Sequence, residues 1–499
     1  MTVAHPMPHL EDLDLADLPQ RCKAAVEAGH RMQMAYAWFP PDTIVPELRY
    51  VVHTGTAPLT IWRCRSENGH VPSLAMTAPL LSWYEREITD LCGLTFDDAP
   101  DPVPLILLPG AKVPAPPLRP GQAAPIHYVP MPPTLPEVSG PMAKDVQLLP
   151  FGPIRADVLE SAQFDYYYLG EGILHYHPQL FFKHRGMEKR FEGLSPELGV
   201  VLAERVSGVG SVAHVLAYAQ AIEAAAGCEI PPRARHLRLV LAELERLYNH
   251  LHYLGHLCHT TTLKVGEAEG KYLEERAKQI NARVCGHRLL RSLIGLGGVR
   301  RELDFSGIAE DLVALARELA QYDTRLEAST THLDRLITTG ILSRRLAFDQ
   351  GATGPIERAS GLDRDLRRDQ PYAAYSDITL TVPIREAGDA HARQQVRIAE
   401  AHHSIELIQH AIDTLPEGPI RVRCVPPPDS EGLGWAESPR GSLYYAVHLN
   451  ATGRLARVKI KSPSFSNWRV FAFTVHDSNM MDYAINEASF GLTIAGCDR

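Results

Sequence analysis

The sequence predicts an α+β chain, with a small N-terminal α/β domain followed by a mainly helical domain that has β elements at its start and end. Three observations carry this expectation. Short β-like runs mix with helical spacing over the first unit. A dense run of prolines follows, from Pro114 to Pro141. Long stretches of helical periodicity then dominate. The chain has 499 residues, 45% of them hydrophobic and 22% charged, which excludes disordered, collagen-like and coiled-coil classes. A formal net charge of -9 argues against a nucleic-acid partner, which would call for a basic face.

Residues 1–112 form the first unit. Helical spacing runs from Leu15 to Trp38, and β-like runs follow at Leu48–His53, Leu59–Arg65 and Val103–Leu108. Between the last two, Ser82–Cys92 reads as an amphipathic helix closed by Gly93. The prolines of 113–145 cannot sit in helix interiors or central strands, so this segment reads as a semi-rigid linker. Residues 146–499 form the second unit. A β-like start reaches Leu174. Ser195-Pro196-Glu197 then opens a helix, closed by Gly227 and Pro231-Pro232. Further helices are expected at Pro232–His259, Glu267–Ile294, Ile308–Ile337 and His391–Leu415. The stretch from Gly418 to Arg499 reads as β-rich with a closing helix.

The N-terminal residues show no basic and apolar signal pattern, so no secretion signal is expected. The most apolar stretch, Val206–Ile222, is interrupted by His214, two glycines and two serines, and reads as a buried core helix. Eight cysteines are present, none of them in a C-x-x-C pair. That excludes local zinc, iron–sulfur and dithiol frameworks and points to a reducing compartment.

Several constellations invite chemistry. His252, His256 and His259 share a helix face, with His250 beside them. The spacing admits a metal site, but no Glu lies within the stretch, and surface or satisfied core histidines are the favoured reading. Glu243–His250 and His184–Lys189 place charges inside apolar helices. They are either solvated faces or buried networks of paired Arg and carboxylate. The loop Gly351–Gly361 lacks the Gly-Lys-Ser/Thr of a P-loop, and Asp363–Arg368 after it is again a solvated turn or an ionic network.

Ordered motifs spanning nearly the whole chain carry a resemblance. Trp83–Gly93 is close to W-x-E-R-E-I-x-D-M-F-G of the 30 kDa subunit of NADH–quinone oxidoreductase. HRGMEK at His184–Lys189, LERLYNHL at Leu244–Leu251 and LIGLGGVRREL at Leu293–Leu303 match the catalytic large subunit. So do GATGPIERASGLDRDLR at Gly351–Arg367, PYAAY at Pro371–Tyr375, and Gly388-Asp389 with Arg393, Val396, Arg397 and Glu400. The chain resembles the large subunit of hydrogenase-4 and formate hydrogenlyase complexes, a fusion similar to the 30 kDa and 49 kDa subunits of complex I. The resemblance implies a second domain with the nickel–iron hydrogenase large-subunit fold. It also implies a cavity shell of Glu188, Arg205, His214, Arg358, Asp365 and Arg367, supported by Glu245, Arg246 and His250.

The departures from the family matter as much. The family's R-x-C-G-x-C-x-x-x-H reads here as Arg205 to His214, so the first two thiolate positions are Ser207 and Gly210. The C-terminal pair falls on Thr493 and Gly496, with Cys497 one step off. Hydroxyls and glycines cannot replace four bridging thiolates, so no metal is expected here. The sequence also stops at Arg499 without the cleavable extension of many hydrogenases, which fits a chain that undergoes no nickel-dependent maturation. The positions that serve quinone in complex I fall on Arg155, Gly208 and Thr260, and none of these can do that acid–base work.

The resemblance therefore implies a peripheral subunit on the cytoplasmic side of the membrane, in a complex that couples electron transfer to ion translocation. No cofactor is expected on the chain itself. An iron–sulfur cluster would lie in a neighbouring small subunit, and quinone or NAD(H) would act at the level of the complex. Antiporter-like and anchor membrane subunits are the other implied partners. Two alternatives are an active oxidoreductase with non-standard ligands (His214 with His252, His256 and His259, or a quinone held by Arg155 and Arg358) and a pure assembly scaffold.

Overall fold

The computed structural model describes residues 8–499 except 42, 44, 56, 57, 108, 109, 114, 122–126, 130–142, 156–159 and 477. In the first unit a four-stranded sheet has the order His9–Asp12, Thr60–Arg65, Glu47–His53, Arg31–Trp38, and only the first pairing is parallel. Leu18–Glu27 buries Leu18, Cys22 and Ala25, one helical stripe, against it.

The expected helix from Leu15 to Trp38 is thus half strand. Gly29 adopts φ +77°, and the chain returns as Arg31–Trp38, buried along nearly its whole length. A strand covered on both faces loses the polar alternation that would mark it.

Ser82–Cys92 forms the expected helix, with Gly93 in the left-handed region. Its acidic residues each organise a neighbour. Glu85 accepts from the Leu74 N–H at 2.7 Å and from Ser73 Oγ at 2.6 Å. Asp90 Oδ2 accepts the N–H groups of Leu105, Ile106 and Leu107. Those three donors go to a carboxylate rather than to a ladder, so 103–107 is a loop and not the expected strand.

Much of the proline-rich segment lies outside the described residues. Within its described part, Ala115 and Leu118 are buried, and the Leu118 N–H donates to Leu91 O at 2.8 Å.

The second unit opens with an antiparallel sheet of Gln147–Phe151, Gln163–Leu169 and Gly172–Gln179. The single helix expected after Ser195 is two, Pro196–Ala203 and Ser211–Ala225, separated by the segment that carries Ser207 and Gly210. The second of these is almost wholly buried, as a core helix should be. Pro232–Thr260, Lys264–Cys285, Ile308–Ala328 and Ala390–Asp413 complete the long helices. Two expected helices end early. Gly286 closes one at φ +71°, and Ser329 breaks the other before Thr330–Leu336. No helix among the described residues is long and apolar enough to cross a membrane.

A three-stranded antiparallel sheet, Glu431–Ser438, Gly441–Leu449 and Leu455–Lys461, packs on Ser211–Ala225. The approach is close: a Cβ on Gly434 would meet Ala217 O at 2.1 Å, so only glycine fits against that helix backbone.

The two units join through buried and half-buried polar contacts. Arg31 pairs with Glu357 at 2.7 Å, Arg49 with Glu431 at 3.1 Å, and Lys459 with Glu87 at 2.6 Å. Trp38 stacks on His448 at 4.3 Å.

Candidate functional site

Two segments face each other that carry Ser207, Gly210, Thr493 and Gly496, the positions onto which the resemblance maps the family's thiolates. The first is the break 204–210, and the second is the short C-terminal helix Ile494–Asp498 with its cap Thr493. Arg185, from the His184–Lys189 motif, ties them together. Its guanidinium donates to Arg205 O at 2.9 Å, Val206 O at 2.6 Å and Ala495 O at 3.0 Å. Glu160 closes the second segment from the other side, accepting the Ile494 and Ala495 N–H groups at 2.6 and 2.9 Å. Glu245, buried on Pro232–Thr260, accepts from Val212 and Ala213 at 2.7 and 2.9 Å. It thereby starts the helix that follows the break. Burial raises its pKa to about 7, against those two N–H donors.

The residues at the four positions do not fit a four-thiolate centre. Ser207 and Gly210 are buried, and Thr493 Oγ1 caps its own helix by accepting from Gly496 N at 3.2 Å. A Cβ at Gly496 would meet that oxygen at 2.5 Å, so the start of any side chain there is already occupied. Ser464 Oγ lies 3.2 Å from the same hydroxyl. The nearby thiol, Cys497, is fully buried, and burial pushes its pKa well above the usual value. Gly496→Ala is expected to drive the Thr493 hydroxyl out of its cap and to cost about 1 kcal/mol. Thermal unfolding measures this, and an unchanged midpoint would mean the turn has spare room.

Of the positions matched to quinone-binding residues, Arg155 and Thr260 are committed elsewhere. Arg155 is buried, donates to Glu160 O at 3.2 Å and lies 3.7 Å from Glu487. Gly208 is exposed, and Thr260 donates its hydroxyl to Leu257 O within its own helix.

The predicted shell residues divide between two buried ionic clusters. Glu188 sits in the first, 2.8 Å from Arg457, 3.2 Å from Lys459 and 3.3 Å from Arg499. Glu87 of the first unit pairs with Lys459 and Arg499 from the other side. Against the upward push of burial, Lys459, Arg457 and Arg499 hold the Glu188 carboxyl well below the ordinary range. Three cations here meet two carboxylates. The imbalance falls on Lys459, whose pKa burial lowers. A cavity of about 510 Å³ opens at this seam, with Leu91, Leu118 and Phe181 among its apolar walls and Glu188 and Arg499 on its charged side.

Arg358, Asp365 and Arg367 meet in the second cluster. Arg358 lies 2.8 Å from Glu400, 3.0 Å from Glu437 and 3.4 Å from Asp365. Arg367 lies 2.7 Å from Asp365 and 3.1 Å from Glu243, and Arg246 lies 3.3 Å from Glu243 and 3.5 Å from Glu400. Burial lowers the His250 pKa to about 4, so the neutral ring donates from Nε2 to Glu400 at 2.9 Å. Four carboxylates here face three guanidinium groups. The excess is relieved at Glu437, whose pKa is raised by burial and by the neighbouring Asp365.

The other predicted residues stand apart. His214 is buried and kept neutral by desolvation, bonding Tyr445 Oη at 2.8 Å. The Arg205 side chain is exposed. His252 and His259 point outward and pair with Glu274 and Glu267 on the neighbouring helix at 3.0 Å. No group of three or more His, Cys, Asp or Glu residues that could hold a metal occurs among the described residues. Sequence reasoning missed Glu87, Arg457, Lys459, Arg499 and Glu437 as site residues. A signal existed for two of them: Arg457, Lys459 and Lys461 alternate with Val458 and Ile460, which puts three cations on one strand face.

Comparison with known proteins agrees with this architecture. The family profile described as respiratory-chain NADH dehydrogenase, 30 Kd subunit, matches residues 15–124. The 49 Kd subunit profile matches 272–429 and 423–499, and the nickel-dependent hydrogenase profile matches 185–287. Formate hydrogenlyase subunit 5 of Escherichia coli is 31% identical over 428 residues, covering 82% of this chain and 74% of that protein. Hydrogenase-4 component G of the same organism is 30% identical, covering 84% and 74%. An NADH-quinone oxidoreductase subunit of Gluconacetobacter diazotrophicus is 29% identical over 490 residues, covering 87% and 80%. Among solved structures, a chain of an archaeal respiratory membrane complex, the membrane-bound sulfane sulfur reductase, shares the fold. Its TM-score is 0.67 at 24% identity, covering 72% of this chain and 100% of that one. The chain belongs to the family of formate hydrogenlyase and hydrogenase-4 large subunits, in which a 30 kDa-like unit is fused to a 49 kDa-like, hydrogenase-related unit.

Proposed function

We propose that this chain is a peripheral-arm subunit of a membrane-bound, energy-converting complex and carries no nickel–iron centre of its own. The observation that supports the reading is the chemistry at Ser207, Gly210, Thr493 and Gly496. Soft thiolates would be needed there to hold nickel and iron, and the residues present are two hydroxyls and two glycines, one of them filled over by its neighbour. In this reading electrons pass through an iron–sulfur cluster in a neighbouring small subunit. The chain transmits conformational or proton coupling from that subunit to antiporter-like and anchor subunits in the membrane, on the cytoplasmic side. The quinone- or hydrogen-reactive alternative draws little support from the geometry. Arg358 directs its guanidinium at Glu400, Glu437 and Asp365, and the exposed histidine stripe lies on a different helix from buried His214.

The test is gentle isolation of the intact complex, followed by metal analysis and a hydrogen-uptake assay. Iron in proportion to the cluster-bearing subunit is expected, with nickel well below stoichiometric and no hydrogen uptake. Stoichiometric nickel together with hydrogen uptake would overturn the reading.

A further inference from the structure

None of the eight cysteines has a sequence-local partner, yet the fold brings two of their thiols together. Cys228 sits in the turn after Ser211–Ala225, where Gly227 takes φ +58° and the Cys228 N–H donates to Glu223 O at 2.9 Å. Cys424 lies in the extended segment before Glu431–Ser438. That segment is held to Gly297 by the Val422 N–H at 3.0 Å. Both cysteines line one open surface depression of about 400 Å³, close enough for each thiol to bear on the other's ionisation. Cys228 is half-buried, whereas the other seven cysteines are buried.

The pair is asymmetric. Burial raises both thiols, Cys424 much the further. At Cys228 the Cys424 S–H and the Arg238 guanidinium work the other way, favouring its thiolate. Cys228 is thus the sulfur that peroxide reaches first, and Cys424, covered but lining the same depression, is placed to resolve it.

We propose that Cys228 and Cys424 form a peroxide-oxidisable dithiol that closes to an intramolecular disulfide in this depression. The Cys228 thiolate attacks the O–O bond of hydrogen peroxide or an alkyl hydroperoxide. An S–O bond forms, the O–O bond breaks, and water or the alcohol leaves, so that Cys228 becomes a sulfenic acid. The Cys424 sulfur then attacks the Cys228 sulfur. The S–S bond forms, the S–O bond breaks, and the departing hydroxide takes the Cys424 proton as water. Two thiols and one peroxide give one disulfide, water and an alcohol or second water, and a thiol reductant reverses the closure. The bond would staple the far end of the helix that begins at the 204–210 break to the lead-in of the sheet packed on it.

Thiol counting and peptide mapping of the isolated complex test this. Wild-type chain treated with hydrogen peroxide under native conditions is expected to lose two of its eight thiols. It should also yield one peptide linked through Cys228 and Cys424, released by dithiothreitol. Cys424→Ser is expected to stop at the sulfenic acid, trapped on Cys228 by dimedone. Wild type that keeps all eight thiols, or that carries Cys228 to sulfinic acid with no linked peptide, would overturn the proposal.

Discussion

Replacing Glu188 by alanine is expected to destabilise the folded chain by roughly 3–5 kcal/mol, the cost of breaking a buried ion pair from one side. The substitution leaves Arg457, Lys459 and Arg499 buried around Glu87 alone. It also removes the acceptor of the Ile460 N–H, 3.1 Å from Glu188 Oε1. Glu188→Gln restores the shape but not the charge, so it should recover only part of the loss. Denaturant or thermal unfolding of the full chain reads both.

The pH dependence identifies the cause. The Glu188 carboxyl is held below its ordinary value of about 4.3 by three cations. Near that pH the unfolded chain binds more protons than the folded one, so this group's stabilisation is present above about pH 4 and lost as pH falls. The gap between wild type and variant should thus stay wide at neutral pH and close only under strong acid. It should also narrow under alkali. Arginine cannot shed its proton in this range but buried Lys459 can, and its pKa is already lowered. A gap indifferent to pH would show that Glu188 acts by packing alone.

What could be read from the sequence was local. Ser82–Gly93 was legible because a left-handed glycine closes an amphipathic stripe. The helices after Ser195 and Asp389 were legible because each begins with a capping side chain, accepting from Leu198 and Ala392 respectively. The break at 204–210 was not legible, because its causes lie far along the chain. Glu245 offers its carboxylate to the helix beyond the break, and Arg185 holds the Arg205 and Val206 carbonyls within it. The strand Arg31–Trp38 hid behind double-sided burial, and the loop at 103–107 behind Asp90. The family motifs located Glu188, Arg358, Asp365 and Arg367 as charges of the cavity shell but did not say which cations or carboxylates they meet. Pairings such as Glu188 with Arg457 or Arg358 with Glu437 belong to tertiary structure, which no periodicity encodes.

Arg358→Met is expected to cost about the same, roughly 3–5 kcal/mol at neutral pH, but with a different pH signature. The side chain has similar length and no charge, so packing is largely kept while Glu400, Glu437 and Asp365 lose their shared cation. Arg246 and Arg367 remain, and they already serve Glu243. Four buried carboxylates would then face two guanidinium groups. Glu437, raised even in the wild type, should take up a proton first, followed by Glu400 or Asp365. A carboxyl whose folded pKa lies above its unfolded value of about 4.3 stabilises the protein at low pH, and that contribution is lost as pH rises through the folded value. The deficit of Arg358→Met should therefore shrink well above pH ~5 on acidification, where the Glu188→Ala deficit is still flat. Parallel unfolding curves from pH ~8 to ~4 separate the two clusters. Identical profiles would mean that Arg358 does not neutralise the carboxylates around it. Because the two clusters are built with opposite excess charge, one short of an anion and one short of a cation, each variant exposes the side of the imbalance that its cluster carries.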